Sequence, residues 1–561
     1  MKVTAGLVLA GALLFGSSIA HPFHFDDILI TNDSNVTNPA RWAHFFNPLY
    51  LRQVTFFTFY LNNLAGGVNP AGYHLVNVGI HIANAALLFF LLQKSAGQWL
   101  AAAAAALFLV HPIQTEAVLY IYQRSTLLAC LFSLLGLIAL SEKRNWLAAG
   151  MFLVAFESKE SALAIPLGIG LLGRYAAAGF EPRSLRPERA LKPAAGYLLL
   201  IVVIVFGAVT LGLLEHANET TVGVGIAGKV RPARYLLTET RVVFTYLRLL
   251  VFPHPQSLEY DFQDAGGFLS VAGVVSLLLI GWHFRQTIPG LCILAFFILL
   301  APTSSIIPSA DAAFEHRLYL PMLAFSILAA HLVSKMPKRT WIGVAVVAIL
   351  ALLTFRRESV WASDISLWED TARNAPGKAR VWFNLGGAYL STDPEKARTA
   401  LLRALDLQPH FPEALYDLGV IEQGRNNWSL ALAFYERAVA QQPDYWPAWN
   451  NMGNTLSAMG QNSRAMEYFQ RTLSLNPDYW PAQYNIAIVH FLSGRYTEAV
   501  RRLRIVLDWR PDFREARTLL AMSLTRTGDR AAADREWKKL GEANAAESRN
   551  TPTMILAPRR P

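Results

Sequence analysis

WFNLGGAY, residues 382–389, sets a tryptophan, a leucine, a glycine and a tyrosine in the order W-x2-L-G-x2-Y. Prolines recur around it at 376, 409, 443, 477 and 511, with spacings of 33, 34, 34 and 34 residues. Small residues keep the same phase. Gly386, Gly419, Gly453, Ala487 and Ala521 form one set, and Ala397, Ala431, Ala465, Ala499 and Ala533 a second. A fixed period of this length means one helix pair repeated. A single pair buries too little apolar surface to fold alone, so neighbours stack into a continuous core. Residues 377–545 are therefore predicted to form an α-solenoid with a concave face.

Period and motif together resemble the tetratricopeptide repeat (TPR). DISLWEDTARNAPG, 364–377, resembles the second helix of an incomplete leading repeat, reached through a connector at 356–376; residues 546–561 form a tail. Asn384, Asp417, Asn451 and Asn485 lie two residues past the Trp382 position in four successive repeats, and the row ends at Leu519. An amide both donates and accepts, so such a row can pair with a peptide backbone of any sequence. It is similar to the asparagine ladder in the TPRs of the nucleocytoplasmic O-GlcNAc transferase, which makes these four residues candidates for acceptor binding. The alternative is that asparagine is simply common at this repeat position. The twin PDYWPA stretches, 443–448 and 477–482, are assigned to packing at helix entry.

Outward from the array the chain changes character. Overall it is 53% apolar and 16% charged, with mean hydropathy +0.29, and nearly all the long apolar runs lie in residues 1–355. These fall at about 3–20, 73–93, 97–110, 126–140, 145–157, 161–174, 193–214, 268–283, 288–307, 318–334 and 340–355. A spanning helix needs roughly 20 apolar residues, so the expectation is an all-α chain. A polytopic bundle of about eleven spans precedes the solenoid. The first run has signal-peptide features, a lysine, an apolar stretch and small residues before His21. The spans that follow favour a retained helix. The segment 235–255 carries Glu239, Arg241 and Arg248. Each would cost about 3 kcal/mol at mid-bilayer, so it is expected to be amphipathic and interfacial.

With that segment excluded, the basic loops fall on one side: Lys2, EKR at 142–144, the stretch 174–192 and KMPKR at 335–339. They are assigned to the cytoplasm. The solenoid and Asp26 then lie on the opposite side. The net charge of +10 fits basic loops on anionic lipid, and no nucleic-acid motif accompanies it. Cys130 and Cys292 both sit in apolar runs and are expected to be buried packing residues rather than a disulfide or metal pair. Cys-x-x-Cys, Walker, zinc-protease and Gly-x-Ser-x-Gly motifs are absent.

Chemistry-bearing residues cluster where runs end. FHFDD, 23–27, places Asp26 and Asp27 just behind the first run. A carboxylate there can take a proton from a hydroxyl or hold a divalent cation such as Mg or Mn. LYLRQVTFF carries Arg52, HPIQTEAVLYIYQR (111–124) carries His111, Glu116 and Arg124, ESKES (157–161) carries Glu157, Lys159 and Glu160, and EHRLYLP (315–321) carries Glu315, His316, Arg317 and Tyr319. Each cluster alone reads as a membrane-edge anchor. On one side together they suggest an anionic, lipid-borne substrate, since arginine and lysine suit phosphate. In GYHLVNVGIHIANAALLFFLL, 72–92, His74, Asn77, His81 and Asn84 share one helical face. Interhelical hydrogen bonding is the favoured role there over metal ligation.

FHFDD, the GYHLVN span, HPIQTEAV, QRSTLLACLFSLL, SKES, EHRLYLP and the appended repeats, in this order, resemble the transmembrane-and-TPR protein O-mannosyltransferases and their bacterial relatives, within the GT-C glycosyltransferases. The resemblance implies a polyprenyl-phosphate sugar donor, with mannose as the sugar, and Ser or Thr hydroxyls of periplasmic proteins as acceptors; it fixes no cofactor and leaves a divalent cation, Mg or Mn, at the aspartates open. It implies a bacterial inner-membrane location with the TPR domain in the periplasm. Asp26 or Asp27 would be the general base. Arg317, Lys159 and Arg52 would hold the leaving phosphate, with His74, His111, Glu116, Arg124, Glu160, Glu315, His316 and Tyr319 in support. Where relatives often have Tyr-Arg-Pro, this chain has Tyr50-Leu51-Arg52-Gln53, which weakens the case for Arg52. Two other functions fit the same residues: a GT-C enzyme acting on a lipid or polysaccharide, and a non-enzymatic TPR scaffold for envelope assembly.

Overall fold

The computed structural model describes residues 2–46, 52–164, 232–262, 267–304 and 311–541. The apolar runs at 165–174 and 193–214, the basic stretch 174–192 and the tail 546–561 lie outside them. The chain divides into two compact units, Met1–Ala375 and Pro376–Pro561. The described elements are helical, with no strand among the described residues.

In the first unit four helices are long and apolar enough to cross a membrane: Lys2–Ala20, Pro70–Ala96, Ile121–Ser141 and Arg339–Val360. Gln98–Val110 and Pro112–Leu119, bent by 53°, make a fifth if taken as one span. Phe268–His283, Ile288–Leu300 and Pro321–Ser334 are apolar but shorter. A count of eleven is thus not established. The 235–255 segment lies in a helix, Pro232–Val251, that is not among the span candidates.

Pro70–Ala96 is central. Asn69 caps it by accepting from the Ala71 N–H, and Pro70 begins it without losing a needed donor. Its polar face turns inward and is fully buried. Asn77 donates to the carbonyls of Val118 and Ile121. His81 lies between the Tyr319 hydroxyl, at 2.8 Å, and the Leu109 carbonyl, at 3.1 Å. Asn84 donates to the Leu127 carbonyl and to the Tyr319 hydroxyl. The stripe binds helices together, as expected, and it takes Tyr319 with it. That side chain is fully buried in the helical core. The two cysteines are buried and unbonded.

The second unit is a run of helix pairs from Ala379–Tyr389 to Arg530–Leu540. The small residues sit where partner helices touch. A Cβ at Gly453 would stand 2.6 Å from the Phe469 ring, and one at Gly386 2.7 Å from Leu401. Trp382 and Trp449 each donate their indole N–H to the carbonyl of the proline six residues earlier, Pro376 and Pro443. Tyr445 is fully buried and Tyr479 nearly so, which agrees with packing at helix entry.

The asparagine row needs correction. Asp417, Asn451 and Asn485 are buried. Asn451 donates to the Tyr416 hydroxyl and Asn485 to the Asn450 carbonyl oxygen, each reaching back 35 residues. Asn451 and Asn485 therefore join successive repeats to one another, and with Asp417 they are buried rather than presented to an acceptor peptide. Asn384, at the head of the array, is half-buried. Leu519 lies 35 residues past Tyr484 and packs with it in an apolar cluster, which continues the same contact without polar atoms.

Candidate active site

The site lies where helices of the first unit break. Gln98–Val110 ends at His111-Pro112, and two short turns and the helix Thr115–Leu119 carry the chain to Arg124. His111 accepts from the Ile113 N–H through Nδ1 and donates from Nε2 to the Leu250 carbonyl, so its role is to pin this break.

The two aspartates have different environments. Asp27 is completely buried, and its carboxylate accepts from the backbone N–H groups of Tyr122 (2.7 Å), His24 (3.1 Å) and Ile121 (3.4 Å). Burial pushes its pKa up to about 7 against those donors. Asp26 is only half-buried, and one of its oxygens accepts from the Tyr120 hydroxyl at 2.7 Å. Burial and the two carboxylates hold Tyr120 well above the usual phenol range, so it remains a donor. Phe25, just before the pair, has φ of +47°, a left-handed conformation that costs a non-glycine residue about 1–2 kcal/mol. It is held between the Tyr120 ring and Trp368. Next to it the His24 ring lies 2.7 Å from both the Asp364 carboxylate and the Trp361 carbonyl, and Glu358 takes His21 and Ser17. The end of the last apolar helix thus holds the loop that presents Asp26.

The aspartates do not fit as a shared cation site. Both oxygens of Asp27 are occupied by backbone donors, and among the described residues no group of three or more His, Cys, Asp or Glu side chains is placed to hold a metal.

The three expected phosphate ligands also differ. Arg52, itself in a left-handed backbone conformation, makes a bidentate pair with Glu160 at 3.0 and 2.6 Å. That pair takes the Nε–Nη2 edge of the guanidinium, so Arg52 is engaged by Glu160 and would meet a phosphate only through Nη1. Burial opposes ionisation of Glu160, but Arg52 holds its pKa down to about 2. Arg317 donates to the carbonyls of Ala312 and Asp311 and lies 3.7 Å from buried Glu239. Lys159 is buried and donates to two neutral oxygens, Gln123 Oε1 at 3.1 Å and Thr126 Oγ1 at 2.7 Å. Burial, with the nearby charge of Arg52, lowers its pKa to about 7. The stretch 111–124 joins the clusters: the Tyr120 hydroxyl and the Tyr122 N–H reach Asp26 and Asp27 of FHFDD, Gln123 takes Lys159 of ESKES, and Glu116 accepts from the Glu315 N–H of EHRLYLP.

The remaining residues build its walls. Glu116 accepts from the backbone N–H groups of Glu315 and His316 and pairs with His316 Nδ1 at 2.6 Å. Glu315 accepts from Gln256, from the Ser257 N–H and from the Tyr260 hydroxyl. His74 approaches the Pro22 carbonyl at 3.5 Å. Arg124 is fully buried, donating to Asn77, Thr58, Asn62 and the Tyr73 carbonyl, with its guanidinium 4.6 Å from the Phe59 ring centroid. These residues brace the site from behind. Sequence reasoning missed Tyr120, Gln123 and Thr126, although the first two lie within the quoted HPIQTEAVLYIYQR stretch. It also missed His24 in FHFDD. Neutral side chains gave no charge signal to find them by.

Comparison with known proteins follows this geometry. Tetratricopeptide repeat models match residues 391–445, 434–467 and 456–523. Among curated proteins the chain is similar to protein O-mannosyl-transferase F38B6.6 of Caenorhabditis elegans, at 27% identity over 64% of this chain and 54% of that protein. It is similar to protein O-mannosyl-transferase TMTC3 of Mus musculus, at 26% identity over 70% of this chain and 48% of that one. Likeness to protein O-mannosyl-transferase TMTC1 of Homo sapiens is 24% over 74% and 56%. The chain spans about half the length of the curated relatives it matches. Among solved structures it is similar to YrrB, titled a TPR protein with an unusual peptide-binding site, at 18% identity, covering 32% of this chain and 95% of that one with a TM-score of 0.29.

Proposed function

We propose that this relative of the protein O-mannosyl-transferases is a membrane glycosyltransferase that moves a sugar, mannose by its relatives' names, from a polyprenyl-phosphate donor to Ser or Thr hydroxyls of proteins. The observation that carries the reading is that the turn at 120–123 holds both a half-exposed carboxylate, Asp26, through Tyr120, and a buried lysine, Lys159, through Gln123, the lysine's hydrogen-bond partners being neutral. Asp26, oriented by Tyr120, takes the proton of the acceptor hydroxyl. The hydroxyl oxygen forms a bond to the anomeric carbon as the bond from that carbon to the phosphate oxygen breaks. The phosphate leaves with the electron pair and Lys159 compensates its charge, with Arg317 as the second cation. Attack opposite the leaving group inverts the anomeric centre. Asp27 does not touch substrate: it holds the backbone of residues 121 and 122 against the loop.

A bacterial inner membrane, with the site and the solenoid on the periplasmic side, is supported by the basic loops and the resemblance. Binding of the acceptor by the solenoid rests on repeat architecture alone. The buried asparagine row had favoured peptide over glycan, and without it the relatives' names are the support for a protein acceptor. The test is intact-mass and glycopeptide mapping of envelope proteins from wild type, a deletion strain, and the deletion complemented with wild type or Asp26→Asn. A hexose absent in the deletion, restored by wild type and not by Asp26→Asn, supports the proposal. An unchanged glycoproteome in the deletion refutes a protein acceptor and leaves the lipid or polysaccharide acceptor to be assayed.

A further inference from the structure

Three helices of the first unit enclose an apolar crevice. Its volume is about 370 Å³, and Trp99, Ala103, Ala106, Val333, Gly343 and Val347 are among the side chains that line it. The helices Gln98–Val110 and Arg339–Val360 run parallel here. Gly343 meets the Trp99 ring, and eleven residues further along both helices Thr354 donates to the Val110 carbonyl. At 1.5 Å per residue the Trp99–Gly343 contact at the mouth of the crevice is roughly 18–21 Å from His111 and Arg357 at the other end. In a hydrocarbon layer about 30 Å thick, that places it in the other leaflet.

The mouth is basic. Lys335, Lys338 and Arg339 are all exposed there, and the Arg339 guanidinium lies 5.4 Å from the centroid of the Trp99 ring that forms one wall. Alanine and glycine keep the helices' surfaces low, which leaves room for a chain of methylenes. Three cations at the rim suit a phosphodiester with net negative charge. We propose that this crevice is a binding site for an anionic phospholipid, with one acyl chain between the three helices and the phosphate at Lys335, Lys338 and Arg339. The complementarity of charge decides between this occupant and a zwitterionic lipid, and between it and a second protein helix, for which three clustered cations at the rim would be unsuited. The site is separate from the donor and acceptor chemistry at Asp26.

The test uses the full-length protein, delipidated in detergent and then titrated with phosphatidylglycerol or phosphatidylcholine, with bound lipid counted by native mass spectrometry. One phosphatidylglycerol per chain is expected, retained at least 10-fold more tightly than phosphatidylcholine. Arg339→Gln should weaken it about 5-fold, and the triple change Lys335→Gln, Lys338→Gln, Arg339→Gln about 100-fold, at roughly one such factor per charge. Gly343→Leu, which fills the crevice, should abolish retention of both lipids. The basic triple is on the surface, so its readout remains if Gly343→Leu fails to fold. Equal retention of the two lipids, or no effect of the triple, would overturn the proposal. So would displacement of phosphatidylglycerol by polyprenyl phosphate, or a stable dimer that Gly343→Leu dissociates.

Discussion

Lys159 gives the sharpest test of the chemistry through pH. Buried between Gln123 and Thr126, it has a pKa lowered to about 7 by desolvation first and by Arg52 second. A polyprenyl-phosphate sugar is a phosphodiester and stays anionic across neutral pH, so the titration belongs to the enzyme. Only the protonated amine attracts the phosphate. The protonated fraction falls about tenfold for each pH unit above 7. KM for the donor should therefore rise about 100-fold between pH 6 and pH 9. Lys159→Arg keeps its charge throughout and should flatten the profile, whereas Lys159→Gln should hold KM high at every pH. The assay is transfer of radiolabelled sugar to an acceptor at fixed, saturating acceptor concentration, with KM and kcat fitted separately. A wild-type KM that is flat from pH 6 to 9, or a Lys159→Arg profile as steep as wild type, would refute the role. Stability carries the same linkage with the opposite benefit. Because the folded state disfavours the charged amine, this group's favourable contribution is present above pH 10.5 and is lost as pH falls towards 7, a difference of about 5 kcal/mol at most. Lys159→Met should therefore gain thermal stability relative to wild type at pH 6 and lose that advantage towards pH 10, read as the melting temperature in detergent.

The other predictions concern neighbours whose roles diverge. Asp26→Asn should lower kcat by at least about 100-fold, the scale of general-base catalysis, with melting temperature unchanged. Asp27→Ala should instead cost about 2 kcal/mol or more in stability, because three buried N–H groups lose their acceptor. The melting temperatures and kcat values of the pair separate these effects. Tyr120→Phe removes the hydrogen bond to Asp26 and should lower kcat with little change in donor KM, measured in the same transfer assay. Asn485→Leu removes the buried hydrogen bond to the Asn450 side-chain oxygen and should destabilise the solenoid by about 1–3 kcal/mol, read by denaturant unfolding of the full chain followed by fluorescence of the solenoid tryptophans.

Much of the architecture was legible because it is periodic. A 34-residue repeat and a polar stripe at helical spacing each specify which residues share a face, and both faces are where the periodicity placed them. What a face meets is not encoded in its own period. Asn451 and Asn485 were aligned correctly, but their partners Tyr416 and Asn450 stand one position earlier in the preceding repeat, and that contact turned a presumed binding row into an internal seam. Asp26 and Asp27 are indistinguishable as letters. Backbone donors supplied by residues 121 and 122, some 94 residues away, are what separate them. Arg52 read as a cation beside lipid, and only the fold shows that Glu160 holds it.

The buried guanidinium of Arg124 also sets an order of events during synthesis. Its partners Thr58, Asn62, Tyr73 and Asn77 all precede it in the chain, and Asn77 leaves the ribosome 47 residues earlier, about 2–10 s ahead at ordinary rates of elongation. The receptor for the charge is thus made before the charge itself. A positive side chain at the head of an apolar helix, which alone would resist entry into lipid, is made only after all four of its oxygen acceptors.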